Sequence, residues 1–169
     1  MIRLTRTILT LGLLAGLASP GWAAEAEPIK IGFLIPVTGH AAAYGQLTRE
    51  GVALAQAKVR QVLGRPVELI VTDTRGDRVE AANCANRLIL RDKVVALLGP
   101  MTSVECLAAG PVAETAKVPL LTAGATNPLV TQGKRYIFRS CFIDPFQGRV
   151  AALFARRELQ AQTAAVLVD

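Results

Sequence analysis

From Pro28 onward the chain alternates short apolar runs with longer stretches of helical spacing, and this alternation restricts the fold more than any other feature. The apolar runs are Ile29 to Ile35, Val67 to Thr72, Val94 to Leu98, Val118 to Leu121, Tyr136 to Arg139 and Ala164 to Val168. Most are continuous instead of alternating, as expected of strands covered on both faces. Helical spacing fills Ala42 to Leu63, Val79 to Arg91, Val104 to Thr115 and Pro145 to Leu159. Repeated strand-helix-strand units of this length predict an α/β fold, a doubly wound parallel sheet with right-handed crossovers. With 51% apolar residues, the chain can fill such a core.

The joins carry their own signals. Asp77 followed by Glu80 has the spacing of a capping box. Gly64-Arg65-Pro66 reads as the stop of the first helix, and Asp144-Pro145 as the start of the last. Asp73, Asp77 and Asp92 are read as solvated caps. Of the three cysteines, Cys84 and Cys106 fall early in successive helices and form a possible disulfide. Cys84 also lies at helical spacing with Ala81, Ala85 and Leu88, which suits a plain buried thiol. Cys141 is expected to be a buried free thiol.

The first residues have the layout of a secretory leader. Arg3 and Arg6 make a basic start, Ile8 to Ala18 is uncharged, and Ser19-Pro20-Gly21-Trp22-Ala23-Ala24 ends in small residues. Residues 1–23 are therefore expected to be a signal peptide cut after Ala23, with a second possible cut near Ala24-Glu25-Ala26. The apolar run is far shorter than the ~20 residues a membrane-spanning helix needs. Charged Glu25 and Glu27 follow without a longer apolar span, which disfavours a retained anchor, so the mature protein is expected to be exported. Its basic residues are dispersed among acids and lack interleaved aromatics, which argues against a nucleic-acid partner.

Open α/β sheets bind ligands at the carboxyl ends of their strands, where helix N-termini present N–H groups. Three such loops are rich in small and hydroxyl residues: Pro36 to Gly45, Gly99 to Ser103, and Thr122 to Pro128. Ser103 and Thr126 can add hydroxyl donors there and hold a carboxylate without a basic side chain, or they can simply cap helices. Tyr44 can wall an apolar ligand side chain or pack into a helix-sheet groove. His40, the only histidine, lies in a Gly/Ala loop with no nucleophile signature near it, so no catalytic residue is assigned. No motif for zinc, phosphate-loop or dinucleotide binding occurs, and no metal or cofactor is expected.

The segments Ile31 to Gly39 with Tyr44-Gly45, Val94 to Pro100 with Ser103, Val118 to Leu121 with Gly124 to Pro128, and Phe138-Arg139-Ser140 with Asp144 to Gly148 resemble the branched-chain amino-acid binding protein family. Members are type I periplasmic solute-binding proteins of ABC importers. The resemblance implies a lobe of flavodoxin-like strand order, one of two lobes that close on a ligand. It implies that Ser103 and Thr126 hold the ligand carboxylate and amino group, helped by the backbone of Gly124. Tyr44 would contact the side chain, and Thr102 would contribute its backbone N–H.

By the same resemblance, 24–161 is expected to be the N-terminal lobe with its first crossover helix, and 162–169 the start of a second lobe that is largely absent. The chain is thus expected to be a fragment or a truncated gene product that binds an amino acid or related carboxylate weakly or not at all by itself. Its partners would be that ligand and a membrane permease, its location the periplasm. Alternatives are a sensory receptor lobe of the same fold, or an exported α/β hydrolase.

Overall fold

The computed structural model describes residues 27–167; the expected leader, and Val168 of the last expected strand, lie outside the described residues. Six strands form one sheet: β1 (Ile29–Ile35), β2 (Gln61–Val62), β3 (Arg65–Asp73), β4 (Ala96–Leu98), β5 (Leu120–Thr122) and β6 (Ile137–Arg139). Four helices connect them: α1 (Ala42–Lys58), α2 (Arg78–Leu90), α3 (Ser103–Ala116) and α4 (Asp144–Arg157). The sheet order is β2-β3-β1-β4-β5-β6. Every pairing is parallel except that of β2 with β3. Without the short β2, this is the flavodoxin-like order, and the strand sequence reverses at β1. In sheets of this order, ligands bind outside the carboxyl ends of the strands at the switch point, here between β1 and β4.

The core lies between α2, α3 and one face of the sheet. Leu34, Leu97, Leu120 and Ile137 meet Cys84, Leu88, Cys106 and Ala109 there, all buried. Small residues on the helices let them sit close to the strands. At Gly32 a Cβ would stand 2.7 Å from Leu97 and 2.8 Å from Leu88, so the chain goes without one. The opposite face is thinner. α1 covers it over β1, while Leu121 and Phe138 farther along the sheet stay exposed. On α4, Phe146, Val150, Leu153 and Phe154 form an apolar stripe at helical spacing, yet none is buried.

Several sequence expectations need correction. Helix α1 stops at Lys58 instead of running to Leu63, because the chain turns into the β2-β3 hairpin. Leu63 and Gly64 both take positive φ, 53° and 72°, the handedness that a two-residue hairpin turn demands. Gly64 is therefore a hairpin residue and not a helix stop. The Asp77 carboxylate does cap α2, accepting from Val79 and Glu80 N–H at 2.8 Å each, but Glu80 turns away to Arg87 at 3.4 Å. The complete capping box belongs to α3, between Thr102 and Glu105.

Cys84 and Cys106 are not bridged. Their thiols aim at different carbonyls, Cys84 at Asp73 O (3.5 Å) and Cys106 at Pro100 O (3.2 Å). Burial pushes the Cys106 thiol up to about 12, which keeps it unreactive. Finally, Ala164 to Leu167 is not a strand. A strand is stable only beside a hydrogen-bonding neighbour, and no described strand lies next to this run.

Candidate functional site

The loops that leave β1, β3, β4 and β5 meet at the carboxyl edge of the sheet, and polar side chains tie them together. Asp73, the last residue of β3, clamps the β1 loop. Its carboxylate accepts from Val37 N–H (2.8 Å), Thr38 N–H (3.3 Å), the Thr38 hydroxyl (2.6 Å) and Arg75 N–H (2.8 Å). Burial raises its pKa, but the Thr38 hydroxyl and the Arg75, Val37 and Thr38 N–H groups outweigh it and hold the carboxyl below its ordinary value. Asp73 thus keeps the partial exposure expected of a solvated cap, but what it caps is the β1 loop and its own turn and not a helix.

A depressed folded pKa fixes the direction of the acid response. The clamp contributes fully above the unfolded carboxylate value of about 3.9 and is lost as pH falls through the lower folded value. We expect the Val37 and Thr38 amide resonances to move together in an acid titration below about pH 4. In Asp73→Asn that step should vanish; persistence of the step would mean another group drives it.

Glu105 joins the β3 and β4 loops. Fully buried, it accepts from the buried Thr74 hydroxyl, from the Thr102 hydroxyl at 2.6 Å and from Thr102 N–H at 3.3 Å. Thr102 is therefore the N-cap of α3, with both its hydroxyl and its N–H turned to Glu105. Ser103 and Val104 follow as the first helical residues, whose N–H groups have no intrahelical partner.

The β4 and β5 loops then close on each other. The buried Thr122 hydroxyl donates to Pro100 O at 2.7 Å and accepts from Gly124 N–H (3.4 Å) and Ala125 N–H (3.3 Å). A Cβ on Gly124 would lie 2.7 Å from Met101 O, so only glycine permits this approach.

Ser103 and Thr126 are brought together. Ser103 Oγ accepts from Asn127 N–H at 3.2 Å, which ties the start of α3 to the residue after Thr126 and leaves the hydroxyl proton free to donate. Neither residue is a cap. Thr102 caps α3, and Asn127 caps the 3-10 turn Pro128–Val130 by accepting from Leu129 N–H at 2.9 Å. Thr126 gives its carbonyl to Asp144 N–H at 3.1 Å, while its hydroxyl and N–H have no partner among the described residues. Tyr44, in the first turn of α1, is 65% exposed and does not pack into a groove. His40 is exposed on the β1 loop, and no base among the described residues is bonded to Ser103.

One positioning residue had no individual reading in the sequence. Arg139, on β6, spans the β5 loop with Nη1 on Ala125 O (2.6 Å) and Nη2 on Asn127 O (2.8 Å) and Pro128 O (3.2 Å). Thr131 Oγ1 accepts from its Nε and Nη2. Nothing in local spacing marks this role. The Thr102/Glu105 capping box, by contrast, has a sequence signature at residues 102 and 105. The arrangement as a whole offers neutral donors at a helix N-terminus, while the exposed Tyr44 ring lies in the first turn of α1. It suits holding an anion and lacks a nucleophile-base pair.

A family model described as periplasmic binding protein matches residues 28–169. A leucine-, isoleucine-, valine-, threonine- and alanine-binding protein of Pseudomonas aeruginosa is 33% identical over 171 aligned residues, spanning 99% of this chain but 45% of that protein. A leucine-binding protein from Thermotoga maritima superimposes with a TM-score of 0.76 and 46% identity, over 79% of this chain and 38% of its own. A branched-chain amino-acid transporter substrate-binding protein from Streptococcus pneumoniae, solved with isoleucine, gives a TM-score of 0.75 and 34% identity over 80% and 40% of the two chains. The chain thus spans less than half the length of these relatives.

Proposed function

The chain belongs to the periplasmic binding protein family, and from that premise we propose that its described residues form one wall of an amino-acid site in the substrate-binding component of an ABC importer. The carrying observation is the meeting of Ser103 and Thr126, each with an unused donor, beside the open N-terminus of α3. The Ser103 hydroxyl and N–H, Val104 N–H and Thr126 would take the ligand carboxylate. The Thr126 hydroxyl and Gly124 carbonyl would take the ammonium group, and Tyr44 would lie along the side chain. Branched-chain amino acids are the favoured ligands because relatives carry their names.

In this reading, residues 1–23 direct export to the periplasm, and 24–161 form the first lobe. Residues 162–169 lead toward a second lobe, and a membrane permease receives the ligand. The apolar stripe of α4 and the exposed Leu121 and Phe138 support a larger assembly, since they leave apolar surface uncovered.

One wall alone gives incomplete desolvation and few convergent contacts. We expect the chain to bind L-leucine with a Kd of about 1 mM or weaker, corresponding to roughly 4 kcal/mol. In 1H-15N spectra, the Ser103, Val104 and Thr126 amides should shift with added L-leucine. Isothermal titration showing micromolar or tighter affinity would overturn the one-wall reading. Shifts absent from all three amides would overturn the amino-acid site itself.

A further inference from the structure

The Arg139 guanidinium has no carboxylate partner among the described residues, and its bonds run to carbonyls of the β5 loop and to Thr131 Oγ1. Its charge is therefore directed into the backbone around Thr126. The 2.6 Å bond to Ala125 O has a geometric consequence. In a trans peptide the C=O and N–H point to opposite sides, and the Ala125-Thr126 bond is trans. With the Ala125 carbonyl held toward Arg139, Thr126 N–H must face the other way, and there it has no partner among the described residues.

Flanking bonds fix the same loop from both sides. Asn127 O is held by Arg139 and Asn127 N–H by Ser103, so the peptide groups around Thr126 cannot rotate independently. A cation bonded to a carbonyl also polarises that peptide, which makes its N–H a stronger donor.

We infer that Arg139 is the positioning residue of the carboxylate subsite: it orients and polarises the Ala125-Thr126 peptide so that Thr126 N–H delivers part of the guanidinium charge to the ligand's carboxylate. This rests on the amino-acid reading above and adds to it the source of the positive potential. It also explains how a site without a basic side chain in contact holds an anion. Lysine cannot substitute fully, because a point charge cannot reproduce the fork that reaches Ala125 and Asn127 together.

The test is a 1H-15N titration of the full chain with L-leucine, reading Thr126 and Ser103 separately. In fast exchange both displacements scale with occupancy, so their ratio does not depend on affinity. Arg139→Gln should weaken binding about tenfold and at least halve the ratio of Thr126 to Ser103 displacement, with Arg139→Lys falling between. A structural role alone would lower affinity while leaving the ratio unchanged, and that result overturns the inference, as does unchanged affinity. If neither variant folds, the unaltered chain decides. A downfield Thr126 amide shift accompanied by an Ala125 carbonyl 13C shift supports the inference, and a Thr126 amide that stays still while Ser103 moves refutes it. If neither Ser103, Val104 nor Thr126 moves, the amino-acid reading itself fails.

Discussion

Glu105→Ala should destabilise the fold by about 4 kcal/mol, one of the two largest losses expected from a single change in this chain. The carboxylate is fully buried and accepts from two hydroxyls, those of Thr74 and Thr102. Thr74 is itself fully buried, so its hydroxyl has no water to turn to once the acceptor is gone. An orphaned buried donor costs about 1–3 kcal/mol, and the broken capping box adds about 1. The vacated side-chain volume contributes the rest. For a chain of this size the fall in Tm is roughly 10 °C, readable by circular dichroism. Glu105→Gln retains one acceptor oxygen and should lose about half as much. A loss below about 1 kcal/mol in Glu105→Ala would mean that the β3 and β4 loops are held together by other contacts. The functional consequence follows from the same bonds. Glu105 sets where α3 begins, and the first N–H groups of α3 belong to the proposed carboxylate subsite.

The parallel sheet was legible because strands buried on both faces leave uninterrupted apolar runs, as in Ile31 to Ile35 and Val94 to Leu98. Ser103 and Thr126 could be proposed from the sequence because topology draws attention to strand ends next to helix starts, where such sheets bind ligands. The hairpin was not legible. Val59 to Leu63 continues the helical pattern of α1, and only the paired positive φ angles of Leu63 and Gly64 mark the reversal. The Cys84/Cys106 pairing failed for a related reason. Their helices are neighbours, but helix rotation aims each thiol at a separate carbonyl.

The groups that arrange the site were hidden for a third reason, distance along the chain. Asp73 acts on Val37 and Thr38, Glu105 on Thr74, and Arg139 on Ala125 and Asn127. Each is an ordinary charged residue in its own neighbourhood. Its role exists only once the sheet has brought two strand ends together, so a reading of local pattern does not reach it.

Two glycines in α1 should respond in opposite directions to the same added methyl group. Gly45 is the only buried residue of the helix, and a Cβ there would lie 1.9 Å from Pro36 O and 2.8 Å from Pro36 C. Those are backbone atoms at the end of β1, held by the sheet and by the Asp73 clamp, so the helix must move instead. Gly45→Ala should therefore cost about 3 kcal/mol and lift the first turn of α1 away from the β1 loop. Tyr44 sits in that turn, so its ring and amide should lose their response to L-leucine while Ser103 and Thr126 retain theirs. Gly51, two turns on, has nothing within 4 Å of its would-be Cβ. Gly51→Ala should stabilise the helix by about 0.5–1 kcal/mol, since alanine loses less backbone entropy there. Urea denaturation of the two variants side by side makes the comparison. Equal effects would show that α1 is not seated on Pro36, and the proposed side-chain contact of Tyr44 would fall with it.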